Sequence, residues 1–568
     1  MKFLKFIRVL FALVFFVAIS LQFFDIYHRL PKIYYMYPPA SLQFVPSLLK
    51  FFGGLGLAAS WAFIAFSAMA LILGRAYCSF VCPFGILMDI LRKIAKFPAE
   101  NKFLKNSKLG KFCSKKFAAM KYSKGLTALR ASFLALAVLS IIFGFGGLLG
   151  LIDPYSLYGK IMGGGFIVSS ELVNAASTEL ANAGYYGLSP VQEPALALPA
   201  FGFSIFLLIL TAAVSAFQGR LFCNTLCPVG AFLGGLSKFS LFRLSIDGSS
   251  CVSCKKCERA CKSKCINISK KSLDFSRCVL CFDCAAGCPK ASIKFGLNPL
   301  YKSLLSAKKR ESEGEKISRR SFAAASLGAV AAISGCSKSD GGLAEKHSLK
   351  VLDGASEYRL KGARADKRLA SPPGSKSIEN FLENCTACQR CITSCKSQVL
   401  KASVFEWGLR GFMQPYMDFS SGFCLPNCHN CTKTCPTGAI QFLSNKQKME
   451  TKIGTAIFNE SLCVVHTDGT DCAACAEHCP VQAIEMIPFD EKRSLYIPHV
   501  HESVCIGCGA CEYICPVRPH QAIVVQGLKV HVKAEPFKES MRLYVPQEKE
   551  KAEPSGAAPK APDNPFPF

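Results

Sequence analysis

The chain has 568 residues, 31 of them cysteine, a 50% hydrophobic composition and a formal net charge of +28; its mean hydropathy is +0.27. That length exceeds one ordinary domain, and so apolar a chain is not a soluble basic protein. No nucleic-acid-binding motif accompanies the charge, which suits the cytoplasmic loops of a membrane protein better than a nucleic-acid partner.

The first 240 residues read as a membrane domain. Four apolar stretches, Phe6–Phe24, Phe51–Leu73, Ala131–Ile152 and Leu198–Phe217, approach the roughly 20 residues that cross a bilayer core. The loop after the second is strongly basic (Arg75, Arg92, Lys93, Lys96 and further lysines), whereas the loop after the third sets Lys160 against Asp153, Glu171, Glu179 and Glu193. This asymmetry predicts a cytoplasmic N-terminus, middle loop and segment after Arg220, with the 153–193 loop outside. No pair of histidines lies within the stretches, so a bis-histidine membrane haem is not expected.

The second and fourth stretches run into related phrases, GRAYCSFVCPFG at 74–85 and GRLFCNTLCPVG at 219–230. Cys78, Cys82, Cys223 and Cys227 are thereby expected at one depth, where four thiolates could converge on a soft metal or a cluster. Structural or redox-active thiol pairs are the plainer alternative.

Residues 241–300 carry Cys251, Cys254, Cys257 and Cys261, then Cys278, Cys281, Cys284 and Cys288, in the two-cluster ferredoxin spacing. The expected ligand sets are Cys251, Cys254 and Cys257 with Cys288, and Cys278, Cys281 and Cys284 with Cys261. No proline follows Cys261, and Cys265 is a rival ligand. Structural zinc would use pairs of cysteines rather than runs of four.

Residues 301–336 contain Ser318-Arg319-Arg320 before a short apolar run, in the manner of a twin-arginine export signal. The run Phe322–Gly335 is too short for an ordinary membrane anchor, and Ile333–Cys336 resembles a lipoprotein cleavage box. Residues 337–384, with Ser371-Pro372-Pro373-Gly374, read as a linker.

Four more runs occupy 385–530: Cys385, Cys388, Cys391, Cys395; Cys424, Cys428, Cys431, Cys435; Cys463, Cys472, Cys475, Cys479; and Cys505, Cys508, Cys511, Cys515. Disulfides between cysteines this close in sequence would be strained. Nesting the first run with the last and the second with the third gives Cys385, Cys388, Cys391 with Cys515; Cys505, Cys508, Cys511 with Cys395; Cys424, Cys428, Cys431 with Cys479; and Cys463, Cys472, Cys475 with Cys435. His429, His466 and His478 lie between these thiols and read as surface or supporting residues. Residues 531–568 read as a disordered tail.

The fold expected is an α-helical membrane domain with four spans plus α+β ferredoxin-like iron–sulfur modules. On these motifs residues 1–300 resemble the NapH family of membrane ferredoxin-type proteins, and residues 318–530 resemble the NapG family of exported four-cluster proteins. The resemblance implies six [4Fe–4S] clusters, two cytoplasmic and four periplasmic, at the bacterial inner membrane. It also implies a quinol dehydrogenase component that takes electrons from membrane quinol to a periplasmic reductase or its cytochrome c partner. Nitrate reductase is the first expected acceptor and nitrous oxide reductase the second; a redox maturation factor for a periplasmic metalloenzyme is the rival function. Asp25, His28 and Asp153, at the outer ends of the stretches, are candidates for accepting quinol protons.

Overall fold

A computed structural model describes residues 2–544 apart from 32–33, 35–37, 54–56, 102–106, 108–110, 112–121, 193–197, 299–300, 302–367 and 491–493. The twin-arginine segment, Cys336 and the end of the tail lie outside the described residues.

The helical region is built twice over. Its first half runs through α1 (Lys2–Phe23), α2 (Phe44–Phe52), α3 (Leu57–Leu73), α4 (Tyr77–Phe80) and α5 (Pro83–Glu100). The second runs through α6 (Thr127–Ile142), α7 (Gly146–Ile152), α8 (Pro154–Asn182), α9 (Leu198–Gln218), α10 (Leu221–Thr225) and α11 (Pro228–Leu236). In both halves a long apolar helix leads to a one-turn helix holding the first cysteine of the repeated phrase. The second cysteine, Cys82 or Cys227, is then an extended N-cap before a proline that opens the next helix. Proline's fixed φ suits that first helical position, and it pushes the preceding residue out of helical geometry. The repeat in sequence is thus a repeat in backbone.

Between the long helices the chain turns back into the interior. Gln43 and Asp153 are the N-caps of α2 and α8. The Tyr77 hydroxyl donates to Gln43 Oε1 at 2.9 Å, and Asp153 lies within electrostatic reach of Tyr77. Asp153 caps α8 by accepting from the Ser156 amide at 2.7 Å and its hydroxyl at 2.6 Å. Phe16 and Phe23 pack edge-on against Tyr158, contacts worth about 0.5–1.5 kcal/mol each beyond area burial. One apolar core includes these aromatics and Cys78, Cys82, Cys223 and Cys227, and extends to Cys281 and Cys388.

The cysteine-rich modules cap opposite ends of α1. The first is closed by β1 (Phe242–Ile246) pairing antiparallel with β2 (Ile293–Leu297), and its Asp283 meets Lys5 at 2.9 Å. The second contains β3 (Thr451–Phe458), β4 (Ile484–Asp490), β5 (Leu495–Val500) and β6 (Ile523–Lys533). β3 pairs with β6 and β4 with β5, both antiparallel. Its Arg390 guanidinium lies over the Phe23 ring, 5.7 Å from the centroid.

The four-span expectation is not confirmed, and three others are corrected. Among the described residues only α1 and α9 are long and apolar enough to cross a membrane; Ser60–Leu73 and Thr127–Ile142 are shorter apolar helices. The stretch Ala131–Ile152 is not one helix, because Gly144 adopts φ +66° and separates α6 from α7. The expected linker is partly folded: Ser371-Pro372-Pro373-Gly374 is buried and Ile378–Asn384 is helical. The expected tail begins as strand: His531 accepts or donates a 2.9 Å hydrogen bond with Ser371 Oγ, and its amide donates to the Lys376 carbonyl at 2.7 Å. Each segment supplies the other's missing partners, and no composition signal marks that.

Candidate iron–sulfur centres

In four of the runs the residues on both sides of the second cysteine have positive φ. These are Ser253 and Lys255, Leu280 and Phe282, Ala387 and Gln389, and Gly507 and Gly509. Alternating left-handed residues curl the loop so that successive amides face inward, a strained arrangement that functional loops retain. A short helix then carries the third cysteine in its first turns: Lys256–Ala260, Asp283–Ala286, Arg390–Thr393 and Ala510–Ile514. The fourth cysteine follows that helix and so leaves the loop formed by the first three. In the two divergent runs the corresponding residues, His429 and Ala473, keep negative φ.

Four-thiol groups result. Cys251, Cys254, Cys257 and Cys288 line one cavity, as expected. Cys281 and Cys284 face Cys261, also as expected. Cys265 joins this second group: its sulfur lies 3.5 Å from that of Cys261 and within hydrogen-bond reach of Cys278.

The nested pairing of the last four runs is overturned. Cys385, Cys388 and Cys391 all face Cys435, and Cys424 and Cys431 face Cys395. Cys463, Cys472 and Cys475 share a cavity with Cys515, and Cys505, Cys508 and Cys511 share one with Cys479. Neighbouring runs therefore exchange fourth cysteines. The cause is local packing: helix Arg390–Thr393 lies against Asn430–Thr434, and Ala474–Glu477 against Ala510–Ile514.

The surroundings suit cubane clusters. Main-chain amides donate to Cys385 Sγ (3.5 Å, from Ala387), Cys435 Sγ (3.4 Å, from Ile440), Cys479 Sγ (3.2 Å, from Ala483) and Cys505 Sγ (3.4 Å, from Ala456). Such donors stabilise the extra negative charge of a reduced cluster. Burial, ahead of other causes, pushes the thiols of Cys388 and Cys508 up to about 12, so bound iron must displace their protons. Among the described residues no three histidine, cysteine or carboxylate side chains converge closely enough for one metal ion. The histidines between the runs have other contacts: His429 Nδ1 pairs with Asn445 Oδ1, His466 packs on Phe489, and His478 Nδ1 lies 3.0 Å from the Ala474 carbonyl.

Comparison with known proteins agrees with this chemistry. Residues 55–102 and 200–247 each match a 4Fe-4S binding domain, and residues 470–518 match a 4Fe-4S dicluster domain. The methylamine utilization ferredoxin-type protein MauM of Paracoccus denitrificans is 30% identical over 171 residues, which are 28% of this chain and 72% of MauM. The chain belongs to this ferredoxin-type iron–sulfur family. The ferredoxin-type protein NapF of Escherichia coli K12 is 29% identical over 161 residues, 28% of this chain and 86% of NapF. NapG of the same strain is 27% identical over 164 residues, 27% of this chain and 68% of NapG. No solved structure matches.

Sequence reasoning gave no role to a charge cluster between the helices and the first module. Asp89 Oδ2 meets Arg8 at 2.9 Å, Arg220 at 2.8 Å and Lys262 at 3.1 Å. Burial alone would raise the Asp89 carboxyl, but Arg220, Lys262 and Arg8 together hold it well below the usual carboxylate range. The signal available was Arg220 itself, fixed within the repeated Gly-Arg phrase.

Of the three proton-acceptor candidates, His28 lines a cavity of about 250 Å³ with Ile26, Tyr27, Phe166, Ser170 and Lys396. Burial lowers the His28 imidazole below its ordinary value, against an opposing pull from Asp25. Asp153 is buried away from that cavity.

Proposed function

We propose that the chain is a membrane-embedded iron–sulfur relay, fusing NapH-like and NapG-like parts, that takes electrons from membrane quinol to a periplasmic reductase. The observation that carries this reading is the placement of the two cysteine-rich modules at opposite ends of α1, at Lys5 and Phe23. A 22-residue helix is about 33 Å long, the thickness of a bilayer core. The long apolar helices are largely uncovered by the rest of the chain. Only 17% of the apolar window of α1 and 33% of that of α9 is buried, and Phe6, Leu10, Leu13 and Val17 of α1 are exposed. An apolar belt of that extent needs lipid or a partner to cover it.

Six [4Fe–4S] clusters would occupy the six thiol groups, Cys261 and Cys265 competing for the fourth position in the second, and supply one-electron carriers. The protein's own contribution is to orient and insulate them. In the cavity lined by His28 and Lys396, a neutral His28 would take one of the two protons that a quinol releases, the other passing to solvent, and the cluster held by Cys395, Cys424, Cys428 and Cys431 would take the two electrons one at a time. The resemblance of the motifs to NapH and NapG favours a periplasmic reductase as partner, with nitrate reductase first and nitrous oxide reductase second. The test is anaerobic addition of a quinol to the protein in proteoliposomes, with cluster reduction followed by absorbance and electron paramagnetic resonance. Rapid reduction in the native protein and slow reduction in His28→Ala is expected. Failure of every quinol to reduce any cluster would sink the reading.

A further inference from the structure

The two repeated loops interlock through their arginines. Arg75 of the first donates to the Cys223 carbonyl of the second at 2.8 Å. Arg220 of the second donates to the Cys78 carbonyl of the first at 2.5 Å. The closing glycines complete the exchange. A Cβ at Gly85 would stand 2.6 Å from the Cys78 carbonyl oxygen, and one at Gly230 would stand 2.2 Å from that of Cys223. Both loops are thus folded about a local twofold relation that points their four cysteines at one another. Cys82 lies within electrostatic reach of Cys78 and Cys223, and Cys227 within reach of the other three. All four thiols are buried and unbridged, and they do not close tightly enough for a single ion.

The charges leave one cation without an anion. Arg220 is neutralised by Asp89. Arg75 is fully buried and donates only to neutral acceptors, Asn224 Oδ1 at 2.8 Å and the Ser276 and Cys223 carbonyls; among the described residues no carboxylate lies within ion-pair distance of it. Its Nη2 points toward Cys78 Sγ, 3.9 Å away, and its Nε has no hydrogen-bond partner. A buried guanidinium held by neutral acceptors alone is stabilised further by a nearby anion. A cubane held by four thiolates carries about two negative charges, placed where Arg75 needs them.

We propose that Cys78, Cys82, Cys223 and Cys227 together hold one further iron–sulfur cluster, of the [4Fe–4S] class, which bridges the two modules. Each matched 4Fe-4S segment contributes only half of this site, so neither could hold the cubane alone. On one side Cys281 lies within electrostatic reach of Arg220, and Ser79 Oγ approaches the Leu280 carbonyl at 3.5 Å. On the other, Tyr77 reaches Asp153, and Cys388 lies beside Asp153 and Tyr155. The bridging cluster would pass single electrons between the cluster at Cys278, Cys281 and Cys284 and the one at Cys385, Cys388 and Cys391, each cluster being reoxidised as its neighbour is reduced. No bond is made or broken, and the reductant is quinol entering at the second module under the relay reading, or dithionite at either module in the test below. The direction across a bilayer rests on the membrane-relay reading; the existence of the cluster does not.

The experiment compares the full chain with its Cys78→Ala/Cys223→Ala variant, purified anaerobically, by iron and acid-labile sulfide analysis and by electron paramagnetic resonance. The native chain is expected to hold about 28 iron atoms and the variant about 24, at four per cluster, with the six other signals retained. About 24 in the native chain overturns the proposal whatever the variant's folding, as does a variant that loses no iron. In sealed vesicles of one orientation, dithionite outside should reduce both modules of the native protein but only the facing module of the variant. Unchanged reduction of the far module despite lost iron overturns the bridging role. Because dithionite replaces quinol, failure of the quinol reading leaves both measurements interpretable.

Discussion

The two cysteine-rich modules are held against the helices by different forces. The first adds a network of charge to its packing: Lys262 pairs with both Asp89 and Asp283, Lys5 with Asp283, and the Arg277 guanidinium donates to the Ser123 carbonyl at 2.8 Å, while its Ser276 carbonyl also sits on a bare helix glycine, Gly234. The second relies mainly on close backbone contact. The Cys388 carbonyl lies against Gly159, where an added Cβ would stand only 2.2 Å away, and Gln414 Nε2 braces the Leu382 and Cys385 carbonyls. Charge tolerates small displacements and responds to salt, whereas a carbonyl seated on a bare helix does not.

Four experiments can break or sharpen this contrast. The largest effect is expected from Cys435→Ala, which should remove about four iron atoms and perturb the centre at Cys385, Cys388 and Cys391. Loss instead of the centre at Cys463, Cys472 and Cys475 would restore nested pairing. Asp89→Asn leaves Arg8, Arg220 and Lys262 facing a neutral group, and should weaken docking of the first module by about 3–5 kcal/mol, measured as urea-dependent release. Because the Asp89 carboxyl is held below its unfolded value, its contribution is complete above about pH 4 and lost only as pH falls through the lower folded value. Native docking that weakens already between pH 6 and 5 would contradict this account. Gly159→Ala should cost about 1–3 kcal/mol through overpacking, seen as faster proteolytic release of the second module and insensitive to salt. Lys5→Ala, with a side chain 42% exposed, should cost about 0.2–1 kcal/mol, and salt should mask the loss.

The cysteine runs were legible because cluster spacing leaves a regular trace, and the fold obeys it at Cys251–Cys288. The C-terminal pairing was not legible from spacing alone. Which fourth cysteine enters which loop depends on the short helices that pack together. The first module nevertheless displayed the adjacent-run rule that the second follows. The apolar stretches gave α1 and α9 closely, since nothing interrupts their periodicity. They concealed the break at Gly144 and the inward returns at Gln43 and Asp153, because a half-helix buried in protein is as apolar as one that crosses. Arg75 and Arg220 were visible as a repeat, but their exchange between loops is a property of space.

That exchange has a consequence for how the protein is made. The carbonyl of Cys78 is held by an arginine 142 positions later in the chain, so the first loop emerges from the ribosome long before its latch exists. Until Gly230 has been synthesised, two of the four inner cysteines stand without their counterparts. The cluster proposed for this place would therefore have to wait for the second half of the helical region, which would give biogenesis a fixed order even though the two halves look interchangeable.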